Sequence, residues 1–261
     1  MPSAISCLWS GVFPAVTTQF DAALALDLPA TQRVQAALLK DGVHGLVLMG
    51  TVGEGNSLRA MEKRSVLKGA VEVSAGKVPV IAGVSEFTTD IAVEFVRDAE
   101  RLGADGFMLL PSMVYVPTAA ELEHHFRTVA AATGLPIMLY NNPPSYRVNI
   151  DIETLKRLAE IPNIVAIKES APDSRRFTDI FNAVGERYVL FAGLDDVAFE
   201  GAAMKIEQAR ADLVSVIKKD ALVFSFPKGR YTQKLLEHLA SHDWLGAVTV
   251  RLEGPGDESN L

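Results

Sequence analysis

A lysine at position 168 carries the clearest chemistry in this sequence. Lys168 directly follows the apolar run Ile164–Ile167. At the mouth of an apolar barrel an ammonium is partly removed from water, and this favours the free amine that can attack a carbonyl group. A lysine at the end of a strand is more often a solvated surface charge, because lysine is rarely buried. The residues that accompany Lys168 therefore decide between the two interpretations.

A tyrosine and a small turn are predicted to lie at the same end of the strands. Tyr140 ends the run Ile137–Leu139, and neighbouring strands lie about 4.8 Å apart, so its hydroxyl can reach the lysine amine and move the protons of imine formation. Gly50, Thr51 and Val52 follow another apolar run, and their hydroxyl and backbone N–H groups could bind a small carboxylate. Taken alone, the tyrosine is more typical of a packed core. The turn by itself is nearly as typical of an ordinary βα connection.

The elements that must position these residues are short apolar runs rich in Val, Ile and Leu, each followed by a stretch with helical spacing. This alternation predicts an α/β fold with a parallel sheet. The strand ends recur roughly every 30 residues, which is the length of one βα unit, and no Gly-rich dinucleotide turn follows the first run. We therefore predict a (β/α)8 TIM barrel. The predicted strands are Val12–Phe20, Val43–Met49, Val78–Gly83, Asp105–Pro111, Leu135–Tyr140, Asn163–Lys168 and Tyr188–Gly193.

The pattern weakens over residues 205–261, which form an atypical C-terminal part. We predict one domain over residues 1–261, with a divergent strand eight at either Leu213–Ile217 or Leu222–Phe226. Tyr231–His242 is predicted to be an amphipathic helix and Glu253–Leu261 a frayed tail.

Composition excludes several classes of function. With 25 basic and 32 acidic residues the formal charge is −7, so neither nucleic acid nor anionic membrane is an expected partner. Cys7 is the single cysteine, which leaves no internal disulfide or cysteine-based metal cage. Neither a signal peptide nor an apolar stretch long enough to cross a membrane is recognised. The prediction is a cytoplasmic protein that acts on a small molecule.

No metal or cofactor is expected. Glu54, Asp195 and Asp196 offer oxygen ligands for Mg²⁺, which leaves a metal-dependent aldolase as an alternative, but a pair of aspartates at a helix start is usually a capping pair. His124 and His125 are adjacent and point about 100° apart on a helix, unlike a helical zinc site. The two acids after Leu194 would also repel a phosphate ester.

Four motifs together resemble the dihydrodipicolinate synthase / N-acetylneuraminate lyase family. They are Gly50–Glu54, Tyr140–Pro143, Ile167–Glu169 and Gly193–Asp196, and the resemblance covers residues 9–204. It implies a (β/α)8 barrel that joins a lysine to a 2-keto acid, usually pyruvate, as an imine. It also implies a homo-oligomer, either dimer or tetramer.

The resemblance assigns a role to each matching residue. Lys168 corresponds to the Schiff-base lysine and Tyr140 to the proton-relay tyrosine. Thr51 and the Val52 N–H, within the turn that begins at Gly50, correspond to the contact for the pyruvate carboxylate.

Three positions depart from dihydrodipicolinate synthase itself. Val52 stands where the synthase has a second hydroxyl residue, and Ser145 where it has an arginine that holds the second substrate, with Arg147 two residues further on. The tyrosine that the synthase lends across its dimer interface is replaced by Val114, with Tyr115 one residue later. Lys168 and Tyr140, the pair that would form the imine, are kept. The three side chains that the synthase uses for its own second substrate and proton relay are replaced.

These departures favour a class I lyase or aldolase that acts on pyruvate or a 2-keto-3-deoxy acid. It would make or break a carbon–carbon bond or dehydrate its substrate, and small polar residues such as Ser145 and Asn142 could hold a polyol chain. Besides the metal-dependent aldolase, two alternatives remain open. The first is the dihydrodipicolinate synthase reaction itself, and the second is an inactive homologue whose region 205–261 has decayed.

Overall fold

The computed structural model describes residues 9–112 and 114–194, together with the backbone of residues 223–226 and 249–252. The chain divides into two compact units, Met1–Gly201 and Ala202–Leu261. The prediction of a single domain over the whole chain stays a prediction. In the described part of the chain, no helix has both the length and the apolar character needed to cross a bilayer.

The first unit is an α/β structure whose strands follow one another in space as they do in sequence. Its strands are β1 Leu46–Leu48, β2 Val80–Val84, β3 Gly106–Leu109, β4 Ile137–Asn141, β5 Ile164–Glu169 and β6 Val189–Ala192. Its helices are α1 Leu28–Lys40, α2 Ala60–Ser74, α3 Thr89–Arg101, α4 Ala119–Ala130, α5 Pro143–Tyr146, α6 Ile152–Leu158 and α7 Arg175–Val184. All five strand pairs are parallel, in the order β1-β2-β3-β4-β5-β6. The predicted α/β class and the sequential strand order of a TIM barrel are confirmed.

The first predicted strand, Val12–Phe20, is much shorter than expected. It forms one isolated parallel bridge to β1, between Ala15 and Val47, and the Val16 N–H donates to the Val47 carbonyl at 2.9 Å. The next hydrogen bond toward the N-terminus would need an N–H at residue 14, and Pro14 has none. The segment therefore lies beside β1 without continuing as a regular strand.

The second unit contains a parallel pair of short strands, β7 Val223–Phe226 and β8 Thr249–Leu252. The predicted strand Leu222–Phe226 overlaps β7, whereas β8 was not predicted. Three further predictions lie outside the described residues: Leu213–Ile217, Tyr231–His242 and Glu253–Leu261.

Alternation along the strands separates two apolar layers. One layer packs the sheet against the helices and includes Leu46, Leu48, Phe107, Leu139 and Ile167 from the strands and Val66, Phe95 and Phe126 from the helices. The other layer lies on the opposite face of the sheet and includes Val47, Ile81, Met108, Met138 and Ala166. Tyr140 and Lys168 stand two residues after Met138 and Ala166, so both project from this second, inner face.

Candidate active site

Tyr140 and Lys168 are brought together at the carboxyl ends of β4 and β5. They are direct partners in the parallel register of the two strands. The Lys168 Nζ lies 4.6 Å from the centroid of the Tyr140 ring, a cation–π contact. Tyr140 is buried and Lys168 is half-buried, so the amine sits over the aromatic face at the rim of the inner layer. Their catalytic roles stay a prediction.

A β-bulge in β5 creates this pairing. Ile137 pairs with Ile164, but the next residue, Met138, pairs with Ala166. Val165 is therefore an extra residue in β5. If Val165 were instead paired with Met138 in a regular register, Tyr140 would pair with Ile167 and not with Lys168. Bulges commonly re-aim side chains next to functional sites, and this one places the lysine opposite the tyrosine.

The turn after β1 is held close to the end of its strand by two glycines. A Cβ at Gly55 would lie 2.1 Å from the Met49 carbonyl oxygen, and one at Gly53 would lie 2.7 Å from both the Met49 nitrogen and the Val16 carbonyl oxygen. Side chains at either position would collide with backbone. The Thr18 hydroxyl also donates to the Gly53 carbonyl at 2.7 Å. The turn is therefore a fixed platform.

Thr51 and Val52 occupy the exposed crest of this platform, and Gly50 is buried beneath it. The Thr51 carbonyl accepts from the Glu54 N–H at 3.1 Å, and the Gly50 carbonyl accepts from Gly55. The N–H groups of Thr51 and Val52 donate to none of the residues that the structure describes. Two backbone donors and a hydroxyl thus lie together at the crest.

A tyrosine that the sequence interpretation missed connects this platform to β4. The Tyr146 hydroxyl forms a hydrogen bond with the Thr51 hydroxyl, and the Tyr146 ring lies edge-on to the Tyr140 ring with centroids 5.7 Å apart. Burial raises the pKa of Tyr146 to about 12, and the neighbouring Tyr140 hydroxyl contributes in the same direction. The three predicted elements of the site are therefore linked through a fourth residue.

The one-turn helix α5 is what returns Tyr146 to the site. Asn142 caps the helix, because its Oδ1 accepts from the Ser145 N–H at 3.2 Å, and Pro143 occupies the first helical position. An Asn-Pro pair is a known signal for a helix start and could have indicated that the chain folds back here. The Asn142 Nδ2 also donates to the Tyr140 hydroxyl at 2.9 Å.

Ser145 and Asn142, which were proposed to hold a polyol, and the nearby Arg147 differ in their exposure to solvent. Asn142 is buried and already uses its amide oxygen and one N–H within the site. Ser145 is exposed. Arg147 is exposed and ends α5 with a positive φ of 58°, at the edge of the site. Of this group, Ser145 and Arg147 are the side chains open to solvent.

A fully buried carboxylate next to Lys168 was also missed. Glu169 accepts hydrogen bonds from Asn141 Nδ2 at 2.8 Å, from the Ala171 N–H at 2.8 Å and from Arg176 Nε at 3.2 Å. Arg176 also donates to the Ile150 carbonyl at 2.9 Å. This cluster joins the ends of β4 and β5 to the loop before α6 and to α7.

Other predicted candidates lie apart from this group or beyond the described residues. Tyr115 is exposed, and its hydroxyl donates to Glu121 at 3.3 Å. Asp195 and Asp196 lie outside the described residues, and Glu54 is exposed on the turn. Within residues 9–112 and 114–194, no three His, Cys, Asp or Glu side chains cluster as a potential metal site.

Comparison with curated proteins finds relatives with one recurring name. The chain is 35% identical over 187 residues to the 4-hydroxy-tetrahydrodipicolinate synthase of Desulforamulus reducens, covering 71% of this chain and 63% of that protein. It is 35% identical over 244 residues to the enzyme of the same name from Exiguobacterium sibiricum, covering 94% of this chain and 80% of that protein.

Solved structures give the same relationship. The dihydrodipicolinate synthase from Aquifex aeolicus aligns with a TM-score of 0.70 at 33% identity, covering 73% of this chain and 65% of that one. The E. coli prophage protein YagE, solved in complex with pyruvate, aligns with a TM-score of 0.71 at 29% identity, covering 74% and 66%. The chain thus spans just under two thirds of the length of several of these relatives.

The dihydrodipicolinate synthetase family model matches residues 8–209, which contain all the residues of the site just described. This part includes β1 to β6, the turn at Thr51 and the Tyr140–Lys168 pair. The chain belongs to the dihydrodipicolinate synthetase family.

Proposed function

We propose that this protein is a class I lyase or aldolase in which Lys168 forms an imine with a 2-keto acid. One observation carries the proposal: the Lys168 amine lies over the Tyr140 ring, 4.6 Å from its centroid, at the carboxyl end of a parallel sheet. Catalytic residues of such barrels gather at this end of the strands. YagE and a dihydrodipicolinate synthase from Acinetobacter baumannii, both similar to this chain, were solved with pyruvate.

The chemistry follows from an amine beside a phenol. The neutral Lys168 amine adds to the ketone carbon, the carbonyl oxygen is protonated, and the resulting carbinolamine loses water to give the protonated imine. Tyr140 can donate a proton to the departing oxygen and accept one from the nitrogen. The iminium then withdraws electrons from the adjacent carbon. This allows a C–C bond to break, a C–H bond to lose its proton, or a β-hydroxyl to leave as water.

The turn after β1 supplies a binding group for the substrate's carboxylate. The hydroxyl of Thr51 and the N–H groups of Thr51 and Val52 lie at its exposed crest. Several donors that converge on an anion form charge-assisted hydrogen bonds, which are stronger than neutral ones. These groups would hold the carboxylate while the ketone carbon faces the amine.

We propose that the 2-keto acid that forms the imine is a 2-keto-3-deoxy acid, which the enzyme then cleaves or dehydrates. Val52 brings no side-chain hydroxyl, and Ser145 stands where the synthase has its arginine. The 4-hydroxy-tetrahydrodipicolinate synthase reaction is the second candidate, because relatives 35% identical carry that name. The open-chain polyol would meet the exposed Ser145 and Arg147 at the edge of the site.

Borohydride trapping tests the imine. We expect the full chain, incubated with pyruvate and borohydride, to carry a reduced adduct on Lys168 in a peptide map. The Lys168→Arg variant keeps the charge but has no amine able to form the imine, so it should remain unlabelled. An adduct absent from Lys168, together with no rise in melting temperature at high pyruvate, would instead favour an inactive homologue.

A separate measurement is needed to decide between cleavage of a 2-keto-3-deoxy acid and the synthase reaction. We expect pyruvate release from a panel of 2-keto-3-deoxy acids to exceed condensation of pyruvate with aspartate semialdehyde. The reverse order of rates would identify the synthase reaction.

A further inference from the structure

We propose that Tyr146 is a positioning residue that links Thr51 and Tyr140 into a relay of hydroxyl groups built from a single chain. This inference rests on the proposed imine chemistry at Lys168. It adds a residue that neither the resemblance nor the sequence pattern singled out.

One hydrogen bond and two ring contacts join these residues along one path. The Thr51 hydroxyl at the crest of the platform is bonded to the Tyr146 hydroxyl, and the Tyr146 ring is edge-on to Tyr140 at 84°. The Tyr140 ring in turn lies beneath the Lys168 amine. Asn142 donates to the Tyr140 hydroxyl at 2.9 Å, which fixes the far end of the path. The path therefore runs from an exposed hydroxyl to the amine that would react.

Hydroxyl groups suit this arrangement because each can donate one proton and accept another. Tyr146 is half-buried, and burial holds its pKa far above neutral, so the phenol stays protonated in the working range. A neutral, ordered phenol can orient the Thr51 and Tyr140 hydroxyls without adding a charge beside the amine.

Tyr115, the other phenol considered from the sequence, is engaged elsewhere. Tyr115 is exposed and donates to Glu121, the first-turn residue of α4 that also accepts from the Thr118 N–H. The Glu121 carboxylate raises the pKa of Tyr115. In the described structure it is Tyr146 that contacts Thr51.

Phenylalanine substitutions provide a matched test. Tyr146→Phe keeps the ring that packs against Tyr140 and removes only the hydroxyl, and Tyr115→Phe makes the same change at the exposed phenol. Imine formation would be followed by quenching the full chain with borohydride at timed intervals after pyruvate is added. We expect Tyr146→Phe to slow the approach to the plateau about 100-fold, whereas Tyr115→Phe should remain within about twofold.

A second readout separates the relay from simple structural damage. Because the hydroxyl acts on the rate of proton transfer, the pyruvate concentration that gives half of the final adduct should be unchanged in Tyr146→Phe. The melting temperature should also stay close to that of the parent. Thr51→Val should slow the same step, and the double variant should be no slower than the slower single variant, because both changes interrupt one path.

The outcomes distinguish this inference from the function on which it rests. If the parent chain forms no adduct with pyruvate, the proposed function fails and the relay fails with it. If the parent forms the adduct and Tyr146→Phe reacts at the parental rate, only the relay is wrong. A slow Tyr115→Phe variant beside a normal Tyr146→Phe variant would assign the role to the other phenol.

Discussion

The Tyr140 side chain contributes to the site in two separable ways. Its ring attracts the Lys168 ammonium through the aromatic face, and its hydroxyl can exchange protons with the reacting nitrogen and oxygen. Phenylalanine at this position would keep the first contribution and remove the second. The two effects can therefore be measured independently.

We predict that Tyr140→Phe slows imine formation by about 100-fold or more, because general acid–base catalysis typically contributes factors of this size. Timed borohydride trapping of pyruvate would measure the rate. Tyr188→Phe is the control, since Tyr188 is also buried but its hydroxyl donates to the Leu155 carbonyl at 2.9 Å, within the layer that packs sheet against helices. Equal rates for Tyr140→Phe and the parent would contradict the role given to the hydroxyl.

Between elements, the buried pair Glu169–Arg176 ties the site to its scaffold. Glu169 is 1% exposed and Arg176 is 14% exposed, so neither charge can be left alone without a large desolvation cost. The pair links the end of β5 to α7, and Asn141 brings in β4 through its bond to the same carboxylate. The strand ends that carry Tyr140 and Lys168 are thus cross-linked behind the site.

We predict that Arg176→Gln lowers the free energy of unfolding by about 3 kcal/mol, because Glu169 would remain buried without its charged partner. Urea unfolding of the two proteins would give the difference. The neighbouring Arg175 offers a matched control: its side chain is 84% exposed and pairs with Asp173, so Arg175→Gln should leave stability unchanged. Similar losses for both variants would show that the buried pair has no special role.

At the scale of the whole molecule, buried titratable groups give stability a dependence on pH. Burial lowers the pKa of His125, whose Nδ1 lies 2.9 Å from the Thr89 hydroxyl, and a hydrogen bond with the Leu110 backbone partly opposes this shift. Burial raises the pKa values of Tyr146 and Tyr188. The folded state therefore resists protonation of the histidine and deprotonation of both phenols.

We predict that stability falls as pH drops below about 6.5, where the unfolded chain binds a proton at His125 that the folded chain excludes. Urea midpoints measured from pH 7.5 to 5 would show the decline. His125→Gln should flatten the curve, whereas His124→Gln, at the exposed neighbouring position, should keep most of the slope, because the His124 charge is the smallest of the causes that shift the pKa of His125. An unchanged slope in His125→Gln would place the titrating group elsewhere.

The same linkage works in the opposite sense at high pH. The unfolded tyrosines lose their protons near pH 10, and the folded ones keep theirs to higher pH, so stability declines as pH rises above about 10. Maximum stability is thus expected between about pH 6.5 and about pH 10.

Much of this protein could be predicted from residue order alone. Apolar runs of strand length alternate with stretches of helical spacing, and this pattern is local, so the strand sequence from β1 to β6 and the α/β class follow from it. Parallel strands also place their carboxyl ends at one edge, which brings Thr51, Tyr140 and Lys168 to one end of the sheet. The first predicted strand was too long, because Pro14 interrupts the ladder toward the N-terminus and Phe20 forms a bridge with Leu26 and not with β1.

Tertiary structure decided how these residues face one another. The extra residue Val165 sets Lys168 opposite Tyr140, and the turn of α5 returns Tyr146 to Thr51 across 95 positions of sequence. Glu169 meets Arg176 only because β5 and α7 pack together. Register and packing depend on contacts between segments distant along the chain, and hydrophobic periodicity, which is a property of short windows, carries no information about which distant groups will meet.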